Sequence, residues 1–393
     1  MILKGYKALQ LVAICLATYL LLRALFRHSI ETPWPGQLPY ISHNLIDSNT
    51  LNHIQNETLG FEHIFAIGLP ERTDKRDFLT LASSLSGFKL EWLDGVKPDN
   101  LQQKAMPKVL MKIPVRLLEE MTIDIEAGSE YLKHGAYYSR MLAVVENSYS
   151  TALIMEDDAD WDISLKAQLT EFAHGLHSIQ DNKKVSREAP YGTNWDVLWI
   201  GGCMSGPSSN ETHFYAIPND PTVPSVEQRQ GAAGIPESWK QTFSENSTRY
   251  IYQAATGCCL YGYAVTGQGA RKILAALSVD HIEIPVDNAL SDLCGGTAGR
   301  QSISCYAPSP NLIGTFRRAG PSSQDSDIES YDPSHFHDER SWNMVFSTKR
   351  NIHRLAADEK TLHSQWRDAP EKWQQAEINL GDFTYPRGLL VDI

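Results

Sequence analysis

An apolar segment that ends in consecutive carboxylates is the feature that most constrains the fold of this chain. Residues 151–155 read Thr-Ala-Leu-Ile-Met, and Glu156, Asp157 and Asp158 follow directly. The apolar run indicates a buried strand, and ligands of open α/β sheets bind where such strands end. Carboxylates this close raise one another's pKa, and a divalent cation such as Mg²⁺ or Mn²⁺ relieves the repulsion. The segment therefore predicts a metal-assisted site for an anionic substrate, with a nucleotide diphosphate as the first candidate.

Strand and helix patterns alternate along much of the chain, which predicts an α/β fold with a mixed, mostly parallel sheet flanked by helices. The predicted strands are residues 63–69, 90–93, 151–155, 195–201 and 260–265, and the predicted helices are a segment ending at Leu85 and residues 136–147, 165–179 and 269–277. The segment Met204–Arg249 interrupts this alternation and is rich in Pro, Ser, Gly and Asn. Long insertions of this kind predict a functional loop or lid.

The N-terminal residues predict a transmembrane helix. Residues Ala8–Leu22 carry no charge and are mostly apolar, and roughly 20 apolar residues cross a bilayer. A cleaved signal peptide is the alternative, because Lys4 and Lys7 precede the apolar run, but no small-x-small cleavage site follows Phe26. We therefore predict four parts: a cytosolic tail and signal anchor (1–28), a stem or linker (29–60), a catalytic domain (61–347) and a C-terminal extension (348–393).

Three N-glycosylation sequons indicate that the body of the protein lies in the lumen of the secretory pathway. They begin at Asn56, Asn210 and Asn246, and such sites are modified on lumenal surfaces. With the signal anchor, they predict a single-pass type II protein of the Golgi or another secretory-pathway membrane. The formal net charge of −12 argues against non-specific binding of nucleic acid, which requires a basic face.

The lumenal cysteines predict two disulfides and one remaining thiol. Cys294 and Cys305 are the preferred pair, because they close a short loop, and Cys203 is predicted to pair with either Cys258 or Cys259. No C-x-x-C pair has zinc-site spacing, which argues against a structural zinc.

The carboxylate cluster has three alternative interpretations. An EF-hand loop starting at Asp158 would need Gly and Glu at its sixth and twelfth positions, where this chain has Ile163 and Leu169. A phosphotransfer site of the haloacid-dehalogenase type would fit Asp158 and Asp160, but not Asp162 at its last position. A solvated acidic turn is the remaining alternative, and the apolar strand before it favours a buried strand end instead.

Several motifs in order and spacing resemble glycosyltransferase family 25, over roughly residues 61–330. They are the strand and turn of residues 67–76, Gly135 and Ser139, the strand 195–203, the strand and helix 259–270, the Pro-x-Asp turn 285–287, and Ser326-Asp327-Ile328. The chain departs from the family pattern at two positions, because Arg140 and Gly202 stand where the family has histidine.

This resemblance implies a GT-A-like fold, a UDP-sugar donor, a divalent metal ion and inversion at the anomeric carbon. Asp157 and Asp158 are the candidate Mn²⁺ or Mg²⁺ ligands, and His281 and His335 could complete the metal shell. Asp287 is the candidate general base, with Asp292 as the second candidate, although Asp287 could equally cap the helix that follows it. The candidate donor-binding residues are Arg72, Asp74, Arg76, Asp94, Gly135, Ser139 and Glu156.

The predicted function is the metal-dependent transfer of a hexose, such as galactose, from a UDP-sugar to a glycan or glycoprotein acceptor. Arg140 and Gly202 motivate an alternative, a catalytically inactive relative that acts as a sugar-binding or scaffolding module. A metal-dependent phosphohydrolase is a further alternative.

Overall fold

A ten-stranded mixed sheet organises the part of the chain that the computed structural model describes, namely residues 51–95, 141–180, 186–231, 234–282, 284–327 and 332–392. The strands of this and the smaller sheets are β1 His63–Gly68, β2 Glu91–Asp94, β3 Thr151–Glu156, β4 Ala159–Trp161, β5 Val197–Gly201, β6 Met204–Pro207, β7 His213–Pro218, β8 Thr248–Cys258, β9 Gly262–Thr266, β10 Cys305–Ser309, β11 Ile313–Arg317, β12 Gly320–Pro321, β13 Phe336–His337, β14 Arg340–Ser341, β15 Thr361–His363, β16 Glu377–Asn379 and β17 Leu389–Asp392.

Helices cover the sheet and connect its strands. They are α1 Thr73–Leu85, α2 Leu165–Ile179, α3 Glu237–Thr242, α4 Gly267–Leu274, α5 Val286–Gly295 and α6 Ile352–Ala356, with a π-helix at Ala275–Asp280 and 3-10 turns at Asn52–Gln55, Val226–Gln228 and Ser322–Gln324. Residues 141–146 are also helical. The helix predicted at residues 165–179 is confirmed at both ends.

The strand order of the large sheet is β2-β1-β3-β9-β5-β10-β8-β7-β17, with β6 paired to β8. Strands β1, β2, β3, β5, β6, β7 and β10 run in one direction, and β8, β9 and β17 run in the other. The mixed sheet, with most of its strands running in one direction, is therefore confirmed. Because the reversed strands lie between the others, the hydrogen-bonded parallel pairs are β1–β2, β1–β3 and β5–β10. The more specific GT-A assignment stays a prediction.

Strand β3 shows why the sequence has a continuous apolar run before the carboxylates. Ala152 and Ile154 pack into the core on one face of the sheet, and Leu153 and Met155 pack into the core on the other face. Successive side chains of a strand point to opposite faces, so a strand covered on both sides must be apolar throughout. The run therefore places the carboxylates at the end of a fully buried strand.

A second, three-stranded sheet begins directly after the carboxylates. Strand β4 pairs with β11, and β11 pairs with β14. The backbone N–H of Phe316 donates to the carbonyl oxygen of Asp158 at 2.9 Å. Asp157 and Asp158 thus span the junction between the two sheets, where backbone hydrogen bonds on both sides fix their positions.

The segment Met204–Arg249 was predicted to be a loop or lid, and this prediction is wrong. The segment contains β6, β7, α3 and the start of β8, and these three strands belong to the large sheet. Phe214, Tyr215, Ala216 and Ile217 of β7 are all buried. The strands are short and separated by turns rich in Pro and Gly, which hid them in the sequence pattern.

The folded body extends beyond the predicted catalytic domain at both ends. Leu51, Ile54 and Leu59, from the predicted stem, are buried in one of the two main cores. From the predicted C-terminal extension, β17 pairs with β7 at the edge of the large sheet. Both boundary regions therefore contribute packing to the same fold.

Two disulfides are present among the described residues. Cys294–Cys305 is confirmed, and of the two pairings left open for Cys203 the structure has Cys203–Cys259. The asparagines of all three sequons, Asn56, Asn210 and Asn246, are exposed.

No helix among the described residues is long and apolar enough to cross a membrane. The predicted signal anchor lies outside the described residues, as do Gly135, Ser139 and Arg140. Their predicted roles stay predictions.

Candidate functional site

Three parallel strands end at the edge of the sheet where the carboxylates lie. In register, Gly68 at the end of β1 lies beside Asp94 at the end of β2, and Ile67 lies beside Glu156 at the end of β3. A pocket opens at this edge, between the start of α1, the turn after β3 and the segment that follows β11. Its lining residues are Arg72, Asp74, Lys75, Phe78, Asp157, Asp158, Phe316, Arg318, Ala319, Gly320, Pro321, Gln324, Asp325 and Lys349.

Gly68 allows the side chain of Asp157 to lie against the end of β1. A Cβ atom at Gly68 would lie 2.6 Å from Oδ2 and 2.8 Å from Cβ of Asp157. No conformation of the present backbone accommodates that contact without moving Asp157. The glycine is therefore required by close packing at the site rather than by an unusual backbone conformation.

We expect Gly68→Ala to lower the free energy of unfolding by about 1–3 kcal/mol, the usual range for overpacking a buried position. Urea denaturation of the full chain measures the change. Gly234→Ala is the matched control, because a Cβ atom at Gly234 would meet no atom of the described residues within 4 Å. Equal denaturation midpoints for the two variants would contradict the steric role of Gly68.

Asp157 belongs to a network of charges that reaches α1 and the segment after β12. Lys75 Nζ lies 3.3 Å from Oδ1 of Asp157 and 2.9 Å from Oδ2 of Asp327. Arg72 Nη1 donates to Oδ1 of Asp327 at 2.6 Å, and Arg72 Nε donates to Oδ1 of Asp74 at 3.0 Å. The predicted donor-binding residues Arg72 and Asp74 thus both line the pocket, and they also pair with each other.

Asp158 pairs with a basic residue from β11. Its Oδ2 accepts a hydrogen bond from Arg317 Nη1, whereas its Oδ1 is buried and has no hydrogen-bond partner among the described residues. Burial alone would raise the pKa of Asp158, but Arg317 and Lys75 outweigh it and hold the pKa below its usual range. Asp158 is therefore ionised at neutral pH, and its buried Oδ1 is an acceptor atom without a partner among the described residues.

Burial has the opposite net effect on Asp157. It raises the pKa of this carboxyl to about 6, against the attraction of Lys75 and with a further contribution from the charge of Asp158. The two adjacent carboxyls thus differ in their affinity for protons, because Lys75 acts on both but Asp158 also pairs with Arg317.

Lys349 is a third basic residue near Asp157 and Asp158, after Lys75 and Arg317. Its side chain is 3% exposed, and its Nζ lies 3.5 Å from the carbonyl oxygen of Asp157. The same nitrogen lies 5.2 Å from the ring centroid of Phe78 and 5.6 Å from that of Phe316, within the range of cation–π attraction. Burial lowers the pKa of Lys349 to about 8, with Asp160 and Asp158 opposing the shift.

Asp160 and Asp162 serve the fold rather than the pocket. Asp160 is fully buried and accepts hydrogen bonds from Ser341 Oγ at 2.6 Å and from the backbone N–H of Lys349 at 3.1 Å. Asp162 accepts hydrogen bonds from the N–H of Ser164 at 3.1 Å and of Phe346 at 2.9 Å, and burial raises its pKa to about 6. The alternative of a solvated acidic turn is therefore wrong.

Three other predicted donor-binding residues lie near this edge of the sheet but do not line the pocket. Arg76 Nη1 donates to Oδ1 of Asp94 at 3.0 Å, and its guanidinium lies 4.6 Å from the ring centroid of Trp92. The backbone N–H of Glu156 donates to the carbonyl oxygen of Tyr261 at 3.1 Å. Arg72 and Asp74 thus line the pocket, whereas Arg76, Asp94 and Glu156 do not.

The two candidate general bases also lie outside the pocket lining. Asp287 accepts hydrogen bonds from the N–H of Cys259 and of Asn288, both at 2.9 Å. The side chain of Asp292 accepts a hydrogen bond from Thr297 Oγ1 at 2.5 Å. Asp287 therefore anchors the disulfide-bonded Cys259 to the first turn of α5, and a catalytic role for either carboxylate stays a prediction.

The structure gives a test of the predicted divalent cation. The open Oδ1 of Asp158 is one ligand atom of the right chemistry, but Asp157 and Asp158 already face Lys75 and Arg317. In the described ranges, three ligand atoms of His, Cys, Asp or Glu come together within 4.8 Å of one another only at Cys203, Cys258 and Cys259, of which Cys203 and Cys259 form a disulfide. His281 pairs with Asp280 at 3.1 Å, and neither His281 nor His335 lines the pocket. The residues as arranged do not fit a resident Mg²⁺ or Mn²⁺ ion. Binding such an ion would require the ion pair of Lys75 with Asp157, or that of Arg317 with Asp158, to break.

Several pocket residues were not predicted from the sequence, and they are mainly basic or aromatic. They are Lys75, Phe78, Phe316, Arg318, Asp325 and Lys349, together with Arg317, which contacts Asp158. The adjacent arginines Arg317 and Arg318 at the end of β11 were the one sequence feature that could have indicated these basic residues. Lys349 gave no such indication, because a lysine followed by Arg350 in the tail is typical of an exposed surface.

Comparison with known proteins gives little support for any assignment. No protein family model and no curated protein matches this sequence. One similar solved structure is that of mannose-1-phosphate geranyltransferase from Thermus thermophilus, with 8% sequence identity and a TM-score of 0.23. The match covers 66% of this chain and 62% of that chain, so this chain spans less than two thirds of the length of that protein. A likeness at this level carries no argument about function.

Proposed function

We propose that this chain is a glycosyltransferase that transfers a hexose from a UDP-sugar to a glycan or glycoprotein acceptor, with inversion at the anomeric carbon. The proposal extends the resemblance to glycosyltransferase family 25. It includes a single-pass type II orientation in a secretory-pathway membrane, with the described body in the lumen.

One observation carries the proposal: the pocket at the carboxyl ends of β1, β2 and β3 combines carboxylates with buried and half-buried cations. Lys75 and Lys349 offer N–H donors that suit phosphate oxygens, and the open Oδ1 of Asp158 is an acceptor that suits a hydroxyl group. A nucleotide sugar presents both groups, a diphosphate and several hydroxyls. The pocket therefore offers a partner for each half of such a donor.

The other lining residues favour an organic ligand over a small inorganic anion. Phe78 and Phe316 contribute aromatic surface to the same wall, with their ring centroids 5.1 Å apart. Ligand sites are usually apolar with a few placed polar groups.

The test is turnover of a panel of UDP-, GDP- and CMP-linked sugars by the full-length chain purified in detergent. We expect release of UDP from a UDP-hexose, with the rate increased by a glycan acceptor. Phosphate release from simple monoesters without UDP release would support a phosphohydrolase instead. Nucleotide binding without turnover across the whole panel would support the catalytically inactive relative.

A further inference from the structure

Three basic side chains lie around Asp157 and Asp158, where the sequence predicted a divalent cation. Lys75 and Arg317 each contact one of the two carboxylates, and Lys349 reaches the backbone of Asp157. Three cationic groups thus face the carboxylates of Asp157 and Asp158. The chain itself provides the neutralisation that was expected from a metal ion.

Of these three basic residues, Lys349 makes the fewest ion pairs and hydrogen bonds through its side chain. No carboxylate oxygen of the described residues lies within the ion-pair distance of 4.0 Å from its Nζ, and its one hydrogen bond is a long contact of 3.5 Å to the carbonyl oxygen of Asp157. A buried ammonium group has three N–H donors and is costly to leave unpaired. Because Lys349 lines the pocket, an anion bound there would meet its remaining donors.

A second basic residue, the exposed Arg318, also lies near the ring of Phe78. Arg318 lines the pocket and lies 5.3 Å from the ring centroid of Phe78, the same ring that Lys349 approaches. The buried Lys349 and the exposed Arg318 thus both lie against the ring of Phe78. Such a pair can hold two linked phosphates, one deep in the pocket and one near its mouth.

We propose that this pocket binds the diphosphate of its donor directly through Lys349, with Lys75 and Arg318 assisting, and without a resident divalent cation. The proposal rests on the proposed function and specifies how the leaving group is held. The bond between sugar C1 and the diphosphate oxygen breaks with its electron pair on the diphosphate, and Lys349 stabilises the charge that this adds. The acceptor oxygen forms the new bond to C1, and the acceptor's proton passes to solvent water. The open Oδ1 of Asp158 accepts a hydrogen bond from a donor hydroxyl.

The experiment measures binding of inorganic pyrophosphate and of UDP to the full-length chain by calorimetry, in EDTA and then in excess Mn²⁺. We expect both ligands to bind in EDTA, and Lys349→Gln to weaken pyrophosphate binding about tenfold or more, the scale of one charge-assisted hydrogen bond. Arg318→Gln is the second variant, because its exposed side chain can be replaced without disturbing the core, and we expect it to weaken binding about threefold or more. Lys360→Gln is the matched control at an exposed lysine outside the pocket.

The outcomes separate this proposal from the proposed function. Binding of pyrophosphate only when Mn²⁺ is present, or equal binding by the wild-type chain and both pocket variants, would overturn it. Pyrophosphate binding in EDTA that depends on Lys349, without turnover of any nucleotide sugar, would support the anion site and reject the glycosyltransferase.

Discussion

Replacing Arg249 by methionine should lower the free energy of unfolding by about 3–5 kcal/mol, the range for breaking a buried ion pair from one side. Arg249 and Asp220 are 1% and 0% exposed, and Arg249 Nε lies 2.8 Å from Oδ2 of Asp220. Methionine fills much of the same volume but would leave the Asp220 carboxylate without its cation. The carbonyl oxygens of Thr222 and Asn311, which accept from Arg249 at 3.1 and 3.2 Å, would also lose their donor.

This expected loss is large because Arg249 joins parts of the chain that are distant in sequence. Its guanidinium connects β8 to the loop after β10 and, through Tyr385 at 3.3 Å, to the C-terminal segment. Urea denaturation measures the effect, with Lys89→Met as the control. Lys89 pairs with Glu57 on the surface, where such a pair contributes about 0–1 kcal/mol. A change of less than about 1 kcal/mol for Arg249→Met would contradict the assigned role, since most surface substitutions fall within that range.

The elements that the sequence predicted correctly are those with strong local patterns. Helix α2 was predicted at both ends because its apolar positions recur at helical spacing. Strand β3 was predicted because a run of apolar residues ends abruptly in charge, and the structure shows that both its faces are covered. In each case the residues that determine the element are neighbours in the chain.

The parts that were missed depend on partners far away in sequence. Strand β17 is short and gains its place by pairing with β7, which local propensity cannot show. Lys349 contacts the backbone carbonyl of a residue 192 positions earlier in the chain, and Arg317 contacts a carboxylate 159 positions earlier. The sequence therefore revealed the acidic half of the candidate site and not its basic half, which is why a metal ion was predicted to balance the charge.

The strongest prediction for activity concerns Asp158. We expect Asp158→Asn to lower kcat/KM for the UDP-sugar at least about 100-fold, the scale of losing one strong transition-state contact. The amide would keep the shape of the side chain but remove the charge that faces Arg317 and replace an acceptor oxygen with a donor. If the NH₂ group takes the position of Oδ1, it cannot accept the hydrogen bond that we propose from a donor hydroxyl.

The same substitution could also act through stability, so the measurement must separate the two effects. Asp158 lies between two sheets, and Arg317 would lose its carboxylate partner. Thermal unfolding followed by circular dichroism reports that loss, and kinetics at a temperature well below the transition reports activity of the folded protein alone. Asp358→Asn is the control, because Asp358 is an exposed carboxylate that pairs with Lys360 and does not line the pocket, and we expect its kcat/KM to stay within about twofold of the wild type, as for a residue that contributes no transition-state contact. Equal turnover by Asp158→Asn and the wild type would reject the role of Asp158, and so would an equally large loss in Asp358→Asn, because the loss would then not be specific to the pocket.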